Sequence, residues 1–181
     1  VRKGGAQVFP VQVSPLHSSE VRGEQLLAII DDICQRTGVD KVNLIGHSQG
    51  ALSARYAAAK RPERVASVTS VAGPNHGSEL ADHLERTAPG HSPQGRVLKA
   101  VLHGFAVLLV WLETGWRRDP LPVDVHASHQ SLTSAGVALF NQAYPQGLPQ
   151  TWGGEGAYEV NGVRYYSWSG TLQPGLTDQG R

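Results

Sequence analysis

Methionine is absent from all 181 residues, and cysteine occurs once. A chain without methionine does not open at an ordinary start codon. Val1-Arg2-Lys3-Gly4-Gly5 runs straight into a strand-like stretch, with no apolar core of a signal peptide before it. The expectation is therefore the interior of a longer domain, with its last residues stopping in a loop. The lone Cys34 excludes an intrachain disulfide, and it falls on the apolar side of a predicted helix, as a buried inert thiol would. Charge is also scarce. Charged residues make up 17%, the net charge is +1 and the pI is near 8.1, with no basic stripe interleaved with aromatics. That balance excludes an electrostatic nucleic-acid binder. No apolar run is long and uninterrupted enough to span a bilayer. Phosphate-binding loop, paired-cysteine metal site and dinucleotide glycine signature are missing too, so no metal or cofactor site is predicted.

What is present suits a globular protein of one domain over residues 1–181, at 19.4 kDa with 40% hydrophobic residues. Its most informative stretch is Gly46-His47-Ser48-Gln49-Gly50. Lys41-Val42-Asn43-Leu44-Ile45 before it reads as a buried parallel strand, and Ala51 to Ala59 after it is a run of helix formers. Strand, Gly-x-Ser-x-Gly, helix is the context that the nucleophile elbow of an α/β-hydrolase requires. In such a turn a strained serine stands clear of the sheet beside a helix N-terminus, and a glycine two residues to either side leaves room for strand and helix to meet. Ser48 is the candidate nucleophile, and the backbone N–H of Gln49 the candidate oxyanion donor.

Around the elbow the pattern is α/β. Ala6 to Val13 alternates as a strand does; Ser18-Ser19-Glu20 offers caps for a helix over about 21–37, closed by Gly38. The helix after the elbow runs to about Lys60, where Arg61-Pro62 stops it, and Val65 to Val71 is the next strand. This spacing predicts right-handed crossovers and a mainly parallel sheet, with ligands beyond the C-terminal strand ends. Residues 96–115 carry a broad apolar face that suits either a core helix or a lid over an apolar cleft. Thr133-Ser134 caps a helix that ends before Pro145. Asn161-Gly162 sits between alternating runs as a type I′ hairpin turn does.

The serine lacks partners. In the usual order an acid and then a histidine follow the nucleophile, from loops after late strands. Six histidines follow Ser48, none of them after a convincing late strand. His47 belongs to the elbow and is expected to pack beside it. His76 is the best base within the chain, though out of the usual order, and nothing in the spacing singles out Asp82, Asp119, Asp124 or Asp178 as the acid. The second oxyanion donor, often marked by His-Gly, is not found before Val21.

Several runs resemble the secreted bacterial triacylglycerol lipases of the Pseudomonas and Burkholderia type. They are Ser18 to Leu27, Lys41 to Gly50, Phe140-Asn141, Tyr144 to Gly147, Gly154 to Tyr158, Val160 to Val163 and Ser167 to Gly170. The resemblance implies a partial α/β-hydrolase fold, truncated at both ends, with the lid helix over about 96–115. It implies Ser48 as nucleophile, Gln49 as oxyanion donor, and hydrolysis of acyl glycerols through an acyl-enzyme at a lipid–water interface. It further implies a structural calcium in the full-length protein, a membrane-anchored foldase partner and secretion. The family's His-Gly segment would lie before Val1; its acid, histidine and calcium carboxylates would lie after Gly170. Gly153 stands where many members carry a disulfide cysteine. The piece alone is thus expected to be inactive. Two other readings are a thioesterase or acyltransferase with the same elbow, and a non-catalytic lipid-binding chain.

Overall fold

The computed structural model describes residues 2–87, 121–149, 151 and 154–170. Ser18 starts the first helix, α1 (Ser19–Thr37), by accepting the Val21 N–H on its hydroxyl at 3.3 Å. Gly38 ends it in the left-handed region, φ 71°, returning its N–H to the Cys34 carbonyl at 2.9 Å. Both ends are where the capping residues place them. Strand β1 (Val42–His47), helix α2 (Gln49–Lys60) and strand β2 (Val65–Val71) follow where expected, with a 3-10 turn over Pro62–Arg64 between the last two, but β1 lies at the sheet edge and is largely exposed rather than buried. Two short helices were not signalled: α3 (Glu79–Thr87) and α4 (Val125–Gln130), the latter capped by Asp124, whose carboxylate accepts the Ala127 N–H at 2.9 Å. Thr133 caps α5 (Ser134–Ala143). The hairpin of β3 (Glu159–Val160) and β4 (Val163–Trp168) turns on Asn161 and Gly162, both at positive φ, as a type I′ turn demands.

The strands lie in the order β1-β2-β4-β3. β2 pairs in parallel with both β1 and β4, and only the short β3 is antiparallel. The sheet is thus mainly parallel and flanked by helices. Leu44, Val68 and Tyr165 share one row and face α1 and α2, where Leu26, Ile30, Cys34, Ala54, Ala57, Ala58, Val65 and Val163 complete a buried cluster. Cys34 is buried, as its place in the helix implied. A second cluster joins Leu52 and Tyr56 of α2 to Val137 and Phe140 of α5. On the opposite face of the sheet Ile45, Thr69 and Tyr166 form the next row. There Ile45 is 64% exposed, Tyr166 40% and Trp168 70%.

One expected strand is not formed. Residues 6–13 join no ladder, and a cavity of about 780 Å³ lies between them, α1 and the edge of β1. Alternation fits a segment to a pleated surface, but a strand needs a neighbour within about 4.8 Å to complete its hydrogen bonds. The segment is instead tied to α1 at its end, where Gln25 accepts the Ser14 N–H at 2.7 Å and donates to the Ser14 hydroxyl at 2.8 Å. The lid expected over about 96–115 lies outside the described residues, as does Gly153.

Candidate active site

Ser48 occupies the junction of β1 and α2 with φ 53° and ψ −129°. A left-handed φ at a serine costs of order 1–3 kcal/mol and persists only where the surroundings enforce it. Here they do. The Ser48 N–H donates to the Val71 carbonyl of the neighbouring strand at 3.0 Å, and its own carbonyl accepts from Ala51 in the first turn of α2 at 3.0 Å. Strand and helix meet so closely that a Cβ on Gly46 would lie 2.6 Å from the Gly50 carbonyl carbon and 2.7 Å from the Ala51 Cα. Gly50 corrects the sequence expectation, because a Cβ there meets nothing within 4 Å. Only the first of the two flanking glycines is required by close approach.

The Ser48 side chain is exposed and makes no capping bond to α2. The first amides of α2, among them that of Gln49, are the orphan donors of a helix N-terminus and carry its partial positive charge. Such a pairing of hydroxyl and N–H groups can hold an acyl carbonyl and stabilise the oxyanion formed on attack.

Gln49 is buried at 6% exposure, and its carboxamide is fully engaged. Its Nε2 donates to the His17 carbonyl at 2.8 Å and to the Ser131 hydroxyl at 3.0 Å. Its Oε1 accepts from Arg22 Nη1 at 2.8 Å and from the Ser128 hydroxyl at 3.4 Å. Arg22 also donates to the Pro15 carbonyl at 3.1 Å, and burial draws its guanidinium below the ordinary arginine range. None of this was visible in sequence; the partners come from three separate parts of the chain, the segment before α1, α1 itself, and α4 with its C-terminal cap.

Beside the elbow, Ala72 turns the chain out of β2 at φ 48°, and a Cβ on Gly73 would lie 2.7 Å from that of Ala51. The Asn75 carbonyl then accepts from Asn141 Nδ2 at 2.8 Å, and Asn141 Oδ1 from the buried Arg55 at 3.0 Å.

The candidate bases and acids are less well served. His47 ends β1 in an exposed position rather than packing into the elbow, because the last residues of β1 turn alternately to the uncovered face of the sheet. His76 is exposed in the loop after β2. Asp124 is occupied as the cap of α4, and Asp82 accepts the Ser134 N–H at 2.9 Å and its hydroxyl at 2.6 Å. Asp119 and Asp178 lie outside the described residues. Nor is a calcium cradle evident: among the described residues no three His, Cys, Asp or Glu side chains are gathered to hold a metal ion. No helix among them is long and apolar enough to cross a membrane.

Comparison with known proteins bears on the family and the fold. The chain is 50% identical over 170 residues to a triacylglycerol lipase of Pseudomonas fragi, covering 93% of this chain and 57% of that protein. It is 48% identical over 168 residues to a triacylglycerol lipase of Vibrio cholerae, covering 93% and 53%. One of Burkholderia plantarii is 38% identical over 188 residues, covering 96% and 50%. The chain therefore spans about half the length of these curated relatives. Among solved structures, the mature Bacillus licheniformis lipase BlEst2 superposes with a TM-score of 0.53 at 19% identity, over 87% of this chain and 50% of that one. Residues 13–172 match the alpha/beta hydrolase fold family, and the chain belongs to it.

Proposed function

We propose that this chain is the central part of a serine ester hydrolase that cleaves acyl glycerols at a lipid–water interface. The observation that carries the reading is Ser48, held at a positive φ between β1 and α2 with its hydroxyl exposed. The similarity to curated triacylglycerol lipases selects the substrate class.

In this mechanism the Ser48 Oγ attacks the ester carbonyl as its proton passes to a histidine base. The carbonyl oxygen, now negative, is held by the Gln49 N–H. The C–O bond to glycerol breaks, and the departing alcohol takes the proton from the histidine. Water then attacks the acyl-enzyme by the same route and releases the fatty acid. The histidine, the acid that orients it and the second oxyanion donor are assigned to parts of the protein outside the described residues. Structural calcium, secretion and a foldase partner belong to the proposal on the strength of the resemblance.

The decisive experiment is Ser48→Ala in the protein encoded by the complete open reading frame. Turnover of emulsified long-chain triacylglycerol should fall by several powers of ten, about the loss seen when a nucleophile is removed, with the fold retained by circular dichroism. Retained turnover would overturn the assignment. A fluorophosphonate should label wild type at Ser48, which separates an enzyme from a lipid-binding chain. A preference for acyl thioesters over glycerides would favour a thioesterase.

A further inference from the structure

The buried carboxamide of Gln49 needs an explanation. A residue in the first turn of a helix that follows an elbow can leave its side chain in water at no cost. Burying an amide is unfavourable by a few kcal/mol unless every donor and acceptor is met. Gln49 is buried, and both ends of its amide are met by partners on the segment before α1, on α1 and on α4. A satisfied network of this kind adds little net stability over an apolar side chain of equal size. What it adds is orientation, since a planar amide held at both ends cannot rotate.

We propose that the Gln49 carboxamide, held by Ser128 of α4 and by Ser131 at its C-terminal cap, is a positioning group that aims the Gln49 backbone N–H at the oxyanion formed on Ser48. Side chain and N–H share one Cα, so fixing the first limits the rotation of the second. Ser131 is suited to the task. Its hydroxyl donates to the Ser128 carbonyl at 2.9 Å, which leaves its lone pairs directed to Gln49 Nε2. α4 has only six residues and is anchored at its start by the Asp124 N–H on the Leu16 carbonyl at 2.7 Å. It therefore meets the elbow as a short strut fastened at both ends. Ser128 and Ser131 act through Gln49 and touch no reacting atom.

The inference rests on the ester-hydrolase reading, and the test separates the two. In the protein from the complete open reading frame, kcat and KM are measured on p-nitrophenyl butyrate for wild type, Ser131→Ala, Ser131→Thr and Ser48→Ala. A misplaced donor loses catalysis steeply, so Ser131→Ala should lower kcat about tenfold with KM nearly unchanged. Fluorophosphonate labelling, in which fluoride leaves and the phosphoryl oxygen takes the place of the oxyanion, should slow by the same factor. Ser131→Thr keeps the hydroxyl and should recover most of kcat. An unchanged kcat in Ser131→Ala, or a loss that only tracks the unfolded fraction, overturns the positioning role. Should Ser131→Ala fail to fold, Gln49→Glu serves: it keeps an acceptor for Arg22 and removes the Nε2 donor. Full kcat in that variant also overturns the role. An active Ser48→Ala would overturn the parent reading, whereas an inactive Ser48→Ala beside a fully active Ser131→Ala overturns only this inference.

Discussion

Gly23 of α1 lies directly against Tyr56 of α2: a Cβ on the glycine would sit 2.7 Å from Cγ and 2.9 Å from Cβ of the ring residue. These are atoms next to the backbone, so the ring cannot swing away to make room. The two helices approach this closely because one of them has no side chain at the crossing. The same crossing is fastened by the Tyr56 hydroxyl on the Glu24 carboxylate. Burial, followed by that bond, raises the tyrosine's pKa well above the ordinary range.

Gly23→Ala should therefore destabilise the fold although alanine is the better helix former. The propensity gain is about 1 kcal/mol, and the overpacking cost is about 1–3 kcal/mol. Urea denaturation at neutral pH measures the difference, and a stabilised variant would contradict the close crossing.

The two elbow glycines should respond in opposite ways. Gly46→Ala forces a methyl into the backbone of Gly50 and Ala51, and should abolish the elbow together with any activity at Ser48. Gly50→Ala enters open space and should leave the fold intact, with a gain of up to about 1 kcal/mol from helix propensity. Thermal unfolding of the two variants side by side gives the comparison.

Arg55 is 4% exposed, donates to the Tyr144 carbonyl at 2.8 Å and to Asn141, and lies over the Phe140 ring at 5.3 Å. Burial pushes its guanidinium down to about 10. Arg55→Ala should cost about 2–4 kcal/mol, since it leaves a void and two unpaired acceptors. Arg55→Lys should recover only part of that, because an ammonium cannot reproduce the guanidinium fork. Chemical denaturation of both variants checks the order.

Asp82 clamps the start of α5 through Ser134, first by the serine hydroxyl and then by its N–H, and these bonds hold its carboxyl below the usual aspartate range. A carboxyl with a lowered pKa in the folded state contributes its stability above the unfolded value and loses it as pH falls through the folded one. Wild type should thus unfold at a higher temperature than Asp82→Asn at pH 7. The gap should shrink below about pH 4, the ordinary aspartate range. A gap that does not change between pH 7 and pH 3 would remove the ionised clamp.

The run Val21-Arg22-Gly23-Glu24-Gln25 shows how far sequence reasoning reaches. Its place in a capped, amphipathic helix was legible, because caps and periodicity are properties of neighbouring residues. What each side chain does was not. Arg22 reaches Gln49, Gly23 admits Tyr56, Glu24 accepts from Tyr56 and Gln25 holds Ser14. Resemblance marked the run, but geometry assigned the tasks.

The chain by itself determined the elements whose signals are local: the ends of α1, the strand–serine–helix junction at Ser48, and the Asn161-Gly162 hairpin. Backbone preference and capping act over a few residues and need no partner. Tertiary structure decided everything that requires one. Residues 6–13 alternate correctly and yet form no strand, because alternation is local while a ladder depends on how a second strand is set against it. Asp82 and Asp124, indistinguishable as candidate acids, became a clamp and a cap through the amides they face. The Gln49 amide meets Ser131 across 82 positions of sequence, a contact that only packing can make.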